Sequence, residues 1–318
     1  MILLTAACAP RLQPTGAMTG TAEIVDGAFI ARDRARLPLT RWAPEAQEPR
    51  AVIVALHGFN DYSNAFAEAA ETWAASGIVT YAIDQRGFGR SPHRRLWAGV
   101  DAMVHDARGL VDAARRRHPG LPVYLLGDSM GGAVAMVALA RPPPLPVAGA
   151  VLVAPAVWGR RHLGALGRAS LWLAAHTVPW LGLRPEGLEI RPSDNLAMLR
   201  RLAKDELIIK FTRVDALWGL VNLMDAAYGA ADAIDTPLLL LYGANDEVIP
   251  KEPTREVLKT LLARGARAAY YAKGYHMLLR DLDGTAVAMD VAAWIENPSK
   301  PLPSGADAAA AAWLKPAR

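Results

Sequence analysis

Four short runs, residues 51–56, 78–83, 121–126 and 147–153, are almost wholly apolar and lie between turn-forming residues. A strand with one wet face alternates apolar and polar side chains. These runs do not, so each must be covered on both faces. Stretches with helical spacing separate them, over residues 65–76, 100–117 and 130–140. Such alternation builds a mostly parallel sheet with helices on both sides. Residues 23–30 and 37–42 predict an antiparallel hairpin that opens the sheet. After Pro155 the alternation stops, and from 156 to 232 Trp158, Trp172, Trp180 and Trp218 stand among Leu, Ala and Arg with no good strand. It resumes at residues 238–242, 253–263, 267–271 and 282–295. The expected fold is therefore α/β, with a core over 21–155 and 233–297 and a helical cap over 156–232 inserted between late strands. Residues 298–318, rich in Pro and Ala, predict a loose tail holding at most a short helix.

Composition narrows the function. Lys and Arg number 35 against 31 Asp and Glu, a net charge of +4 spread along 318 residues, which does not suggest nucleic acid as a partner. Cys8 is the only cysteine, which excludes an intramolecular disulfide and a cysteine zinc cluster. No apolar run approaches the ~20 residues of a membrane-spanning helix.

The most informative motif is Gly127-Asp128-Ser129-Met130-Gly131-Gly132, placed between the apolar run ending at Leu126 and the helical run 133–140. A nucleophilic serine between strand and helix sits in a tight, strained turn, and glycines two residues to either side remove the side chains that would collide there. The helix N-terminus behind it favours developing negative charge.

A serine nucleophile needs a base, and the base needs an acid to orient it. Asp246 follows the run 238–242, and His276 follows the run 267–271 with no histidine after it. Both fall at the carboxyl ends of expected strands, the edge where an open α/β sheet places its ligands. Glu247 is the rival acid. For the oxyanion, Met130 offers one backbone N–H. The loop His57-Gly58-Phe59-Asn60 offers a second at Phe59. His57 reads as a residue that pins this loop, because His276 already fills the position of the base.

Together, His57-Gly58, Asp84-Gln-Arg-Gly87-Phe-Gly89-Arg-Ser91, Gly127-Asp-Ser129-Met-Gly-Gly132, Asp246 and His276 resemble the α/β-hydrolase superfamily. Within it they resemble the monoacylglycerol lipase and lysophospholipase group, which is serine aminopeptidase S33-like. The resemblance spans roughly residues 22–297. The chain departs from that group at Asp128, where His is commoner, and in the 57–60 loop, which lacks the usual small residues. The resemblance implies that Ser129 attacks an ester carbonyl, His276 takes its proton and Asp246 holds the imidazole tautomer. It implies an acyl-ester substrate of lipid type and neither a metal nor an organic cofactor. Small-ester hydrolysis, acyl transfer and a non-catalytic binding role are the alternatives, the last opposed by the complete Ser-Asp-His set. Asp84 and the glycines after it read as a loop-shaping element. Gly87-Phe-Gly89 lacks the third glycine of a dinucleotide site, and Asp281-Leu-Asp283-Gly284 lacks the later ligands of a calcium loop.

Two further segments bear on location. Met1-Ile-Leu-Leu-Thr-Ala-Ala-Cys8 resembles the end of a bacterial lipoprotein signal, with Cys8 as the lipidated residue. Residues 1–20 then read either as a truncated signal, which implies an anchored protein facing the periplasm or exterior, or as a flexible N-terminus of a cytoplasmic one. Leu166, Leu171, Trp172, Leu173, Trp180 and Leu181 either line an acyl groove or meet a lipid surface, or they glue the cap to the sheet.

Overall fold

The computed structural model describes residues 9–184 and 189–314. β1 (Glu23–Val25), β2 (Ala28–Ile30) and β3 (Arg36–Trp42) form an antiparallel meander. The single strand expected over 23–30 is thus a hairpin of its own, folded at Asp26-Gly27 with Gly27 at φ 67°. Asp-Gly between two short runs is a strong two-residue turn signal, and here Gly27 alone takes the positive φ that a residue without a side chain adopts freely. β4 (Ala51–Leu56), β5 (Ile78–Ile83), β6 (Val123–Asp128) and β7 (Gly149–Val153) follow. β8 (Gly182–Leu183) and β9 (Thr212–Arg213) pair only with each other, inside the insertion. β10 (Leu238–Gly243) and β11 (Arg267–Tyr271) complete a nine-stranded sheet of order β1-β2-β3-β5-β4-β6-β7-β10-β11, parallel from β5 onward.

The apolar runs work as two-faced strands. Val52, Val54 and Leu56 of β4 join a core with α2 (Val100–Arg117), α3 (Met130–Ala140), α6 (Val214–Ala230) and α7 (Lys251–Ala263). Ala51, Ile53 and Ala55 of the same strand face the opposite core, built with α1 (Ala67–Ala75) and α8 (Gly284–Glu296). The strand period of two divides one hydrophobic run between two cores. α3 is buried along its length as far as Leu139, which is why its sequence is apolar all round.

The insertion holds α4 (Ala165–Thr177), α5 (Leu196–Lys204) and α6. Its base belongs to the core, since Leu223 and Ala227 of α6 are fully buried in the α3 side of the molecule. Its top does not, because α4 buries only Ala175.

Both ends of the described chain are more ordered than expected. Residues 9–20 are no loose leader: Gln13 N–H donates to Trp97 O (2.9 Å), its side chain donates to Leu96 O (2.6 Å), and Gly20 N–H donates to Arg32 O (2.8 Å). Met1 to Cys8, and with them the lipidation expectation, lie outside the described residues. At the other end the expected loose tail carries α9 (Ala306–Trp313), packed on β11. Trp313 stacks on Tyr270 with ring centroids 4.6 Å apart, and Arg267 of β11 donates to Asp307 at 2.7 Å. Leu302 and Ala306 belong to the α8-side core and Ala310 to the α7-side core, so this segment turns round the outer edge of the sheet.

A buried ion network fixes the loop after β5. Arg86 makes two hydrogen bonds to Asp33 (2.8 and 2.7 Å) and two to Asp106 of α2 (2.5 and 2.8 Å), with all three side chains at most 5% exposed.

Candidate active site

Ser129 stands between β6 and α3 at φ 51° and ψ −112°, a conformation that costs energy for any residue with a side chain. The turn is held by Ser129 N–H donating to Val153 O (2.8 Å) and by Ala156 N–H donating to Ser129 O (2.9 Å). A Cβ at Gly131 would lie 1.9 Å from the carbonyl oxygen of Leu56, so the motif's last-but-one glycine is required for α3 to approach β4.

The loops after β10 and β11 carry Asp246 and His276, the expected acid and base. They are zipped together by Ala244 N–H to Tyr271 O and Asn245 N–H to Gly274 O, both 2.9 Å. A Cβ at Gly243 would lie 2.5 Å from the carbonyl oxygens of Gly274 and Tyr275, so this approach also depends on a missing side chain. His276 Nδ1 donates to Asp246 Oδ2 at 2.9 Å, and His276 Nε2 lies 3.0 Å from Ser129 Oγ. The other oxygen of Asp246 accepts the N–H groups of Val248 (2.8 Å) and Ile249 (2.9 Å). An ionised carboxylate only accepts, so the imidazole proton belongs on Nδ1 and the Nε2 lone pair faces the serine hydroxyl. Glu247, the rival acid, turns away and accepts the N–H of Arg191 at 2.7 Å.

The loop 57–60, expected to serve the oxyanion, lies against the serine. A Cβ at Gly58 would lie 3.4 Å from Ser129 Cβ, and the N–H groups of Phe59 and Met130 have no acceptor among the described residues. Two free N–H groups beside a nucleophile are what a developing alkoxide requires. His57 pins this loop, as its sequence context suggests. Its Nε2 accepts Gln85 N–H (2.9 Å), its Nδ1 donates to Gly58 O (2.8 Å), and burial pushes its pKa below the ordinary imidazole value. Asp84 shapes the neighbouring turn: Oδ1 accepts from Ser63 N–H and Oγ–H, while Oδ2 accepts from Arg90 N–H and Nε–H.

Near Ser129 lie charges that no local motif announces. Arg280 donates to Asp61 at 2.5 Å, and the charges of both act on Asp128, the residue before Ser129. Burial pushes the Asp128 carboxyl up to about 6, against the opposing pull of His276 and Arg280. At His276 burial works to lower the pKa, but the charge and hydrogen bond of Asp246, joined by the charge of Asp128, raise it above the ordinary value. A general base must be deprotonated, so with His276 in that role activity is expected to fall as pH drops through its pKa. Asp128→Asn removes one anion facing the imidazole. The acid limb of a kcat/KM profile is therefore expected to move to lower pH in this variant, and an unmoved limb would refute the coupling.

On the surface of the insertion, Leu166 is 82% exposed and Trp172 52%, with Leu173, Trp180 and Leu181 also exposed. Side chains so open to solvent do not glue the cap to the sheet, whereas Leu171, half-buried against the α3-side core, does. Among the described residues no helix is long and apolar enough to cross a membrane.

Comparison with known proteins agrees with this geometry. A family model described as "Serine aminopeptidase, S33" matches residues 47–283. The chain is 29% identical over 280 residues to a monoacylglycerol lipase of Mycolicibacterium smegmatis, covering 84% of this chain and 95% of that one. It is 28% identical over 250 residues to human monoglyceride lipase, covering 76% and 80% respectively. Among solved structures, the monoacylglycerol lipase of Paleococcus ferrophilus superposes with a TM-score of 0.67 at 23% identity, covering 81% of this chain and 98% of that one, a likeness of fold. The order of strands, the serine turn and the extent of the family match lead to one conclusion: the chain belongs to the serine aminopeptidase S33 family of α/β-hydrolases.

Proposed function

We propose that the protein hydrolyses carboxylic esters of lipid type, monoacylglycerols or lysophospholipids, through an acyl-enzyme on Ser129. The observation that carries this reading is the unbroken hydrogen-bonded line from Asp246 through His276 to Ser129. Ser129 Oγ attacks the ester carbonyl as its proton passes to His276 Nε2, and the carbonyl oxygen, now an anion, meets the N–H groups of Phe59 and Met130. His276 returns that proton to the departing alkoxide. A water then gives a proton to His276 and attacks the acyl carbon, and the proton goes back to Ser129 Oγ as the fatty acid leaves. The relatives named monoacylglycerol or monoglyceride lipase support an acylglycerol as the ester.

The exposed apolar residues of the insertion support contact with a lipid surface, where aromatic side chains favour the polar boundary and the exposed Arg168 can meet anionic headgroups. Residues 9–13 run beside this patch: Arg11 N–H points to Asp215 Oδ2 (3.4 Å), and Asp215 N–H donates to Pro179 O (3.0 Å). A lipid on Cys8 would hold the protein to a membrane on the periplasmic or outer side. A cytoplasmic enzyme is the alternative.

Hydrolysis of p-nitrophenyl esters and labelling by a fluorophosphonate are both expected to vanish in Ser129→Ala. If folded wild-type protein shows neither, the reading fails. In a panel of acyl lengths, faster turnover of acetate than of laurate esters would favour the small-ester alternative. An intact, unlipidated Met1 in the mass spectrum of protein from membranes would overturn the anchor.

A further inference from the structure

The loop that carries His276 is gripped from the insertion. Pro192 O accepts the N–H of Met277 (2.9 Å), Asp194 Oδ1 accepts that of Leu282 (2.8 Å), and Asn195 Nδ2 donates to Arg280 O (3.1 Å). The central contact is Ser193 Oγ–H to Asp281 Oδ1 at 2.6 Å, with Asp281 Oδ2 accepting the N–H of Tyr275 at 2.7 Å. Tyr275 immediately precedes His276. Two residues before Ser193, Arg191 N–H bonds to Glu247, the neighbour of Asp246. Residues 191–195 therefore touch the loops of both the acid and the base.

Ser193 is fully buried and Asp281 is 6% exposed. A buried carboxylate is costly to desolvate, and an apolar pair of similar volume would fill such a place at less cost. Here each oxygen of the carboxylate accepts a hydrogen bond, one from the backbone next to the base and one from the insertion. The 3.0 Å separation of His276 from Ser129 depends on where that backbone sits, and a misplacement of 1 Å can slow such a transfer about 100-fold.

We infer that Asp281 and Ser193 are positioning residues for His276, which make the insertion a structural part of the general base as well as a cover over it. The inference rests on the hydrolase reading above. It separates two jobs of the insertion, because a short soluble ester that needs no acyl groove still depends on this grip.

Steady-state hydrolysis of p-nitrophenyl butyrate tests it, with circular dichroism to verify folding. Asp281→Ala is expected to lower kcat roughly 10- to 100-fold and Ser193→Ala about tenfold, with KM unchanged and fluorophosphonate labelling slowed in proportion. Asp281→Asn should stay within a few-fold of wild type. Its amide oxygen still accepts from Tyr275, and its NH2 can donate to Ser193 Oγ. If Asp281→Ala does not fold, Ser193→Ala and Asp281→Asn decide. Unchanged kcat in folded Ser193→Ala, a loss confined to KM, or an Asp281→Asn as poor as Asp281→Ala each overturns the inference. A wild type that neither turns over ester nor labels overturns the hydrolase reading instead.

Discussion

Asp246→Asn is expected to lower kcat about 10⁴-fold while the protein stays folded, the scale found when a triad carboxylate becomes an amide. The amide oxygen keeps the N–H groups of Val248 and Ile249, because that oxygen already receives both. The NH2 must then occupy the place of Oδ2 and face His276 Nδ1. An NH2 can only donate, so Nδ1 must accept and the imidazole proton moves to Nε2, where it faces the serine hydroxyl and removes the base. Glu247→Gln should change kcat by only a few-fold, since Glu247 holds Arg191 and not the imidazole. Kinetics of the two variants on one ester, with circular dichroism to exclude unfolding, discriminate the two acids. Equal losses would mean that Asp246 does not act through the imidazole.

The second large effect falls on stability. Arg86→Met is expected to reduce the unfolding free energy by roughly 3–5 kcal/mol, because it leaves the carboxylates of Asp33 and Asp106 buried without their cation. Asp106 feels the burial most, which holds its carboxyl at about 6 even with Arg86 in place. Urea denaturation gives the measurement, and a change below about 1 kcal/mol would mean that water replaces the guanidinium. The loss should reach activity as well. Arg86 anchors the loop in which Gln85 N–H and side chain hold His57, and His57 in turn holds Gly58 beside Ser129. A lower kcat in protein that remains folded at the assay temperature is the expected sign of that chain of contacts.

The contrast between these two variants shows what the sequence carries openly. Ser129 and Asp246 were legible because each follows an apolar run that reads as a buried strand, and His276 because it follows the shorter strand-like run 267–271; strand ends define one rim of a parallel sheet. The structure places all three within hydrogen-bonding reach there. His57 was legible as a loop pin for the same reason, though its partner Gln85 was not. Arg86 was hidden because Asp33 and Asp106 lie 53 and 20 residues away, with no period or motif to join them. Arg280 was hidden likewise, since its partner Asp61 is 219 residues distant. Asp281 drew notice only as the start of an incomplete calcium loop, whereas its partners are a serine of the insertion and a backbone N–H. The short helix allowed in the tail is there, but its packing was hidden because alanine packs without advertising it. In residues 302–314 only Leu302, Trp313 and Leu314 are large apolar residues, too few to reveal a helix seated on β11.

That helix has a consequence for self-association. A sheet can grow only where a terminal strand still offers its backbone to a newcomer, and the segment folded round β11 obstructs one of the two borders. The remaining border is β1, three residues long. Were two copies to join there by extending their sheets, each would present its obstructed side outward, so the assembly would close as a pair and could not propagate into a fibre.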